Sequence, residues 1–267
     1  MDETRRSLDE VNHLADSELD LAVIVPVYRN ASTLETMVGR LNRAMAPTGL
    51  KYQLVFVDDD SPDDAWRVIQ MLAERDSRVS GLLLAANQGQ HMALLAGMAH
   101  LGAKWVAVLD ADLQDPPELL PSMVSVCKQE NVTVFARRQG RYQSAGKMLT
   151  SRIFKSLLGR ILNMPSDIGT CFVVPAHVAE RMCKTNLRHP QVVVMARVFS
   201  PGWKGIFFQR SVREAGVSAY SGWGRMQAAL RSLCCAIECR FTLARHHSAG
   251  DTGRQRWHGV IAAKINL

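Results

Sequence analysis

Trp105-Val-Ala-Val-Leu-Asp-Ala-Asp-Leu-Gln-Asp-Pro-Pro-Glu118 is the stretch on which the fold turns. Five apolar residues run without a break, then give way to acids, an amide and two prolines. A short apolar run bounded by such breakers reads as a fully buried strand. Strands buried on both faces belong to parallel sheets covered by helices. Trp105–Leu109 is therefore predicted to be an interior strand that ends in a polar cluster.

Upstream, the same unit repeats. Leu21–Val27 is an apolar run ending at Tyr28-Arg29-Asn30, and a helical pattern follows with Ser32 as N-cap and Leu34, Met37, Val38 and Leu41 on one face. Tyr52–Val57 runs into Asp58-Asp59-Asp60-Ser61-Pro62, ahead of a helix over roughly 63–75. Val79–Ala85 leads to Asn87-Gln88-Gly89-Gln90 and a helix to about His100. Downstream, another helix and a strand at Val132–Ala136 complete the series. This alternation predicts an α/β domain: a mostly parallel, Rossmann-like sheet flanked by helices. Every polar cluster falls just past a strand end, where open α/β sheets bind ligands.

Composition narrows the function. The 267 residues are 47% hydrophobic and 21% charged, enough for a full core. The net charge of +7 is unevenly spread. Residues 1–20 hold seven acids, whereas Asn131 to Ser166 holds none and carries Arg137, Arg138, Arg141, Lys147, Arg152, Lys155 and Arg160. An acidic half facing a basic segment suggests a metal site beside a phosphate site. Nucleic acid is disfavoured, because aromatics are only 6% and no basic motif with interleaved aromatics is present. No Gly-x-Gly-x-x-Gly follows the first strand and no Gly-Lys-Ser/Thr loop occurs, which disfavours dinucleotide and P-loop enzymes. Cys234, Cys235 and Cys239 with His246 and His247 read first as buried small residues rather than a metal cluster.

Asp110 and Asp112 stand on alternate residues directly after a strand, with the Gln114 carbonyl two further on. Hard oxygen donors of this kind suit Mg²⁺ or Mn²⁺ bridged to substrate phosphates. The three acids at 58–60 exceed what a helix cap at Asp60 or Ser61 needs, so base and ribose contacts are expected from Asp58 or Asp59.

Pro26-Val-Tyr28, the Asp58–Ser61 cluster and the Asp110-Ala-Asp-Leu-Gln-Asp-Pro-Pro-Glu118 block resemble the family 2 inverting glycosyltransferases of the GT-A fold. More narrowly they are similar to the polyprenyl-phosphate glycosyltransferases, as is Arg213-Glu-Ala-Gly-Val-Ser-Ala-Tyr-Ser221. The resemblance implies that Pro26, Tyr28, Asp58, Asp59 and Asp110 bind the nucleotide sugar, and that Asp110, Asp112 and Gln114 hold Mg²⁺ or Mn²⁺. It implies Arg137, Ser151 and Arg152 at the acceptor phosphate, and Asp112 and Arg138 in catalysis; Asp167, the carboxylate nearest the altered Gly169–Val174 segment, is the remaining candidate for a catalytic acid or base. The implied reaction moves a hexose from a UDP- or GDP-linked donor to polyprenyl phosphate. Alternatives are a soluble saccharide acceptor, or a family member that binds without catalysis. Three positions depart from the family pattern: Arg29-Asn30 replaces Asn-Glu, Asp60 replaces glycine, and Gly169-Thr-Cys-Phe-Val-Val174 lacks the usual arginine.

The expected organisation is a polar extension at 1–20, the transferase domain at 21–215, and a C-terminal helix and tail at 216–267. Residues 147–162 pattern as a basic amphipathic helix suited to an anionic membrane surface. Arg225–Arg245 reads as one helix too polar to span a bilayer. A peripheral protein on the cytoplasmic face of the membrane is expected.

Overall fold

The computed structural model describes residues 19–139, 164, 167–209, 222–245 and 260–266; within the last helix, side chains are described for 230–243. Strand β1 (Leu21–Val27) lies at the centre of the sheet, with β2 (Tyr52–Asp58) and β4 (Trp105–Val108) parallel to it on either side. β3 (Val79–Leu84) continues the parallel half beside β2. Beyond β4, β6 (Ile168–Pro175) runs antiparallel, then β5 (Thr133–Gln139) and β7 (Trp203–Gln209) pair parallel to each other. The strand order is β7-β5-β6-β4-β1-β2-β3-β8, where β8 is Ile261–Ile265.

Strand side chains alternate between two cores because the strand period is two. Ala22 and Ile24 join one core with helices α3 (Gln90–His100), α5 (Ala176–Lys184), α6 (Val192–Phe199) and α7 (Gly222–Arg245). Leu21, Val23, Val25 and Val27 join the other with α1 (Leu34–Met45), α2 (Ala65–Arg75) and α4 (Leu120–Glu130). Helices therefore cover both faces, and the interior strands read as unbroken apolar runs. Close packing shows at Gly97, where an added Cβ would lie 2.5 Å from Ile24 Cγ2 and 2.8 Å from Val57 Cγ2.

The five expected strands and the helices between them are present, with instructive differences. β5 extends to Gln139, so Arg137 and Arg138 lie within the strand rather than after it. Its alternation continues because β7 and β6 flank it and keep its backbone paired. Ser32 does not cap α1: residues Ala31–Thr33 form a 3-10 turn. The Thr33 hydroxyl instead donates to the carbonyls of Asn30 (2.9 Å) and Ala111 (2.7 Å), tying the helix start to the acidic loop. Ile261–Ile265, within the region expected to be a tail, pairs antiparallel with the edge strand β3. Alternating polar and apolar character is too weak in five residues to announce a strand; the unpaired edge of β3 recruits it. Among the described residues no helix is long and apolar enough to cross a membrane. The amphipathic segment 147–162, Ser151, Arg152 and the motif at 213–221 lie outside the described residues.

Candidate active site at the switch point of the sheet

Chain order runs outward from β1 through β2 to β3, then returns to the other side of β1 at β4. The reversal opens a crevice at the carboxyl ends of β1 and β4. Tyr28 leaves β1 there and Asp110 leaves β4. The two acidic clusters and Tyr28 thus reach one edge because parallel strands end together.

At Asp58–Ser61, each acid has a distinct task. Asp58 is buried; its Oδ1 accepts the Ser61 N–H at 2.9 Å, while its Oδ2 is buried with no partner among the described residues. Burial, reinforced by the charges of Asp63, Asp60 and Asp59, raises its carboxyl to about 6. Asp59 turns the other way. Its two carboxylate oxygens accept the N–H groups of Gln88 (2.7 Å) and Gly89 (2.8 Å), and its carbonyl accepts Asn87 Nδ2 at 3.1 Å. Asp60 sits at φ +55°, the left-handed conformation where the family pattern has glycine. Asp63 Oδ2 accepts the Ala31 N–H (3.0 Å), and Ser61 Oγ accepts the Arg29 N–H (2.7 Å), so the β1 and β2 loops hold each other.

The β4 loop carries the second cluster. Asp112 Oδ1 accepts the Gln114 N–H at 3.2 Å, folding the loop back on itself, and Leu113 between them sits at φ +59°. A leucine in that region is a backbone outlier of the kind concentrated at functional sites. Asp110 Oδ1 accepts Gln90 Nε2 at 2.7 Å, across from the start of α3. Burial first, then the charges of Asp115 and Asp112, pushes the Asp110 carboxyl up to about 7, against the pull of Arg138 and a hydrogen bond from Thr170. So much negative potential on one loop is what a divalent cation or cationic side chain relieves.

Arg138 supplies part of that relief. Its Nε and Nη2 donate to Asp115 Oδ1 (3.3 Å) and Oδ2 (3.1 Å), and the Asp115 side chain is only 1% exposed. Its neighbour Arg137 points to Asp167, with Nη2 donating to Oδ2 at 2.9 Å, and stacks over the Phe207 ring at 4.2 Å. Glycines on flanking strands make the room. A Cβ on Gly169 would lie 2.5 Å from Arg138 Nη2, and one on Gly205 would lie 2.3 Å from Arg137 Cδ. Both guanidiniums are thus held in fixed orientations by carboxylates that take their Nε and Nη2 edges.

Glycosyl transferase family 2 matches residues 22–185, the part of the chain that builds this crevice. The chain belongs to that family. Within it, the chain is similar to the undecaprenyl-phosphate 4-deoxy-4-formamido-L-arabinose transferase of Shewanella sediminis, 30% identical over 203 residues that cover 75% of this chain and 61% of the relative. The corresponding protein of Erwinia tasmaniensis is 32% identical over 204 residues, covering 75% and 63%. The chain thus spans less than two thirds of the length of these relatives. Among solved structures, glucosyl-3-phosphoglycerate synthase from Mycobacterium tuberculosis with uridine diphosphate superposes with a TM-score of 0.59 at 15% identity, covering 86% of this chain and 84% of that one. Mannosyl-3-phosphoglycerate synthase from Rubrobacter xylanophilus gives 0.57 at 14% identity, with 92% and 81% covered. The fold of this family 2 chain is the expected GT-A arrangement.

The structure brings Asp110, Asp112, Gln114 and Arg138 to one crevice, with Pro26, Tyr28, Asp58 and Asp59 at its neighbouring strand ends. Pro26 sits inside β1 opposite Val57, and Tyr28 is 43% exposed beneath the Arg29 guanidinium. Among the described residues no three His, Cys, Asp or Glu side chains gather around one point. Sequence reasoning missed Gln90 as a partner of Asp110 and Asp115 as the anchor of Arg138. A signal for the first existed: Asn87-Gln-Gly-Gln90 is another polar cluster just past a strand end.

Proposed function

We propose that this family 2 chain is a metal-dependent transferase that moves a sugar, with inversion, from a UDP- or GDP-linked donor to polyprenyl phosphate at an anionic membrane surface. The observation that carries the reading is the placement of Asp110 and Asp112 beside Arg138, itself held by the buried carboxylate of Asp115. Negative donors for a cation and a fixed positive charge facing phosphate are what a sugar diphosphate needs on its two sides. The relatives, named as undecaprenyl-phosphate formamido-arabinose transferases, support the acceptor class and a formamido-arabinose as one sugar such proteins move, so the sugar proposed here is a hexose or a pentose of that kind.

Mg²⁺ and Mn²⁺ commonly bind through one or two carboxylates completed by substrate phosphates. The donor set Asp110, Asp112 and Gln114 fits that chemistry, and the neighbour from Mycobacterium tuberculosis was solved with Mn²⁺ and UDP-glucose. When bound, the ion would offset charge on the leaving diphosphate. The remaining roles belong to the chain. The exposed Tyr28 ring offers a nucleobase a stacking surface, and the unpartnered Asp58 Oδ2 offers an acceptor for a base N–H. Asp59, whose carboxylate holds the loop at 87–89, supports the nucleotide pocket through that loop.

In the transfer, an acceptor phosphate oxygen forms the new bond to the anomeric carbon while the bond to the diphosphate oxygen breaks and takes its electron pair. A phosphate is already ionised near neutral pH, so no base has to accept a proton. Asp167 then serves by orienting Arg137 toward the acceptor phosphate, rather than as a base. Arg138 faces charge building on the phosphates, where a preoriented donor lowers the barrier. Ser151 and Arg152 are further acceptor contacts on the family resemblance.

Membrane placement is supported by α7. Leu230, Ile237 and Phe241 are 51%, 47% and 65% exposed along one helix face, with the exposed Arg231 and Arg240 on its flanks. The opposite face, Cys235, Ala236 and Cys239, is buried in the core. An exposed apolar stripe between arginines suits the interface of an anionic leaflet and supports a peripheral position at the membrane, with the cytoplasmic face as the proposed side. The test is direct: the purified chain with Mn²⁺ or Mg²⁺, a panel of UDP- and GDP-sugars and undecaprenyl phosphate. A lipid-linked product that Asp112→Ala abolishes is expected; nucleotide release with no lipid-linked product in any combination overturns the acceptor assignment.

A further inference from the structure

Gln90 lies outside every motif that carries the family resemblance, yet its side chain hydrogen-bonds the central acid of the site. Its Nε2 donates to Asp110 Oδ1 at 2.7 Å. The side chain itself is exposed at the first position of α3, and an exposed glutamine amide would ordinarily wander among rotamers. Two features of the backbone beneath it restrict where it starts.

The first is Asp59. Its two carboxylate oxygens take the N–H groups of the two residues immediately before Gln90, at 2.7 and 2.8 Å, and Asn87 closes the loop onto the Asp59 carbonyl. Hydrogen bonds to an ionised acceptor are about twice as strong as neutral ones. The second is Gly89, whose φ of +85° turns the chain into α3; no atom lies within 4 Å of where its Cβ would be, so the glycine is there for conformation and not for space. Carboxylate, loop, glycine and glutamine thus form one rigid path from the β2 acids to the β4 acids.

We infer that Gln90 is a positioning residue for the divalent-cation site: from the start of α3 it fixes the orientation of the Asp110 carboxylate, and Asp59 fixes Gln90. The inference rests on the metal-dependent reading above and deepens it by naming a residue that acts through Asp110. It also gives the second acid of the Asp58–Ser61 cluster a role on the metal side of the crevice. Outer partners that orient a ligating carboxylate typically change metal affinity by about 10- to 100-fold when removed.

The experiment measures Mn²⁺ binding by the full chain with UDP present, from the electron paramagnetic resonance signal of free Mn²⁺, alongside thermal unfolding without metal. Gln90→Ala and the similarly shaped Gln90→Met should each weaken Mn²⁺ binding by about tenfold while leaving the unfolding midpoint where it is, since the side chain is exposed. Gly89→Ala keeps the amide but shifts its origin, and should weaken Mn²⁺ binding as well. Binding by both Gln90 variants within twofold of the parent overturns the inference and leaves the transferase reading standing. A drop that tracks a lowered unfolding midpoint in every variant overturns it too, because the role would then be structural. A parent chain that binds no Mn²⁺ with UDP removes the metal-dependent reading and the inference together.

Discussion

Arg138 on β5 reaches the carboxylate of Asp115, which is all but fully buried, through two N–H groups at 3.3 and 3.1 Å. The pair joins the antiparallel half of the sheet to the loop that carries Asp110 and Asp112. Asp115→Asn keeps the shape but leaves the guanidinium without a charged partner, and is expected to cost about 2 kcal/mol of unfolding free energy. Chemical denaturation of the two proteins checks it; a change under about 0.5 kcal/mol would mean that the pair is solvated like a surface bridge.

Gly169→Ala attacks the same arginine from its other side. The new Cβ would stand 2.5 Å from Nη2 and 2.8 Å from Cζ, so the guanidinium has to leave its place. A flexible side chain moves cheaply, and stability should fall by only about 1 kcal/mol. Transfer should fall by about 100-fold, the usual loss when a preoriented donor is removed. Measured side by side, a large stability loss with little loss of rate would contradict the assignment of Arg138 to phosphate.

Asp58 makes stability depend on pH with an uncommon sign. Folding raises its carboxyl from 3.8 to about 6, so between those values the folded chain binds the extra proton. Its contribution is therefore greatest below about pH 4, declines as pH rises through about 6, and is level above. Two pH units correspond to about 3 kcal/mol at most. Urea midpoints of the parent and Asp58→Asn from pH 4 to 8 should diverge in favour of the variant as pH rises; parallel curves would show that Asp58 titrates normally.

Asp60 stands at φ +55° next to Asp58 and Asp59, and raises both by its charge. Asp60→Gly relieves the backbone and removes the repulsion, against the greater entropy of a glycine when unfolded. A net gain of about 0.5–1 kcal/mol is expected by thermal or urea unfolding.

On α7, Phe241→Glu puts a charge at the most exposed residue of the stripe without touching the buried face. Flotation with vesicles rich in phosphatidylglycerol should fall by at least about fivefold, while circular dichroism stays unchanged. Equal flotation of parent and variant would move the membrane contact elsewhere.

The amino-acid sequence by itself determined the parallel half of the sheet and the clustering of its acids. Runs such as Leu21–Val27 and Trp105–Val108 are buried on both faces, so their unbroken apolar character and the breakers after them are visible one residue at a time. The contribution of Asp110 and Asp112 was legible for the same reason: the acids follow directly on a strand. Strand β8 was not legible, because its pairing depends on the open edge of β3 and not on its own five residues.

Only the tertiary structure decided what the individual acids and arginines do. Asp58 and Asp59 are neighbours of one type, yet one is left with a buried unpartnered oxygen while the other is saturated by Gln88 and Gly89. Arg137 and Arg138 are likewise adjacent, and successive strand residues face opposite sides, so one finds Asp167 and the other Asp115. Those partners lie 23 and 30 residues away in the chain for Arg138 and Arg137. Local pattern reports which residues are buried or polar; which carboxylate meets which cation is settled by strand order and by the room that Gly169 and Gly205 leave.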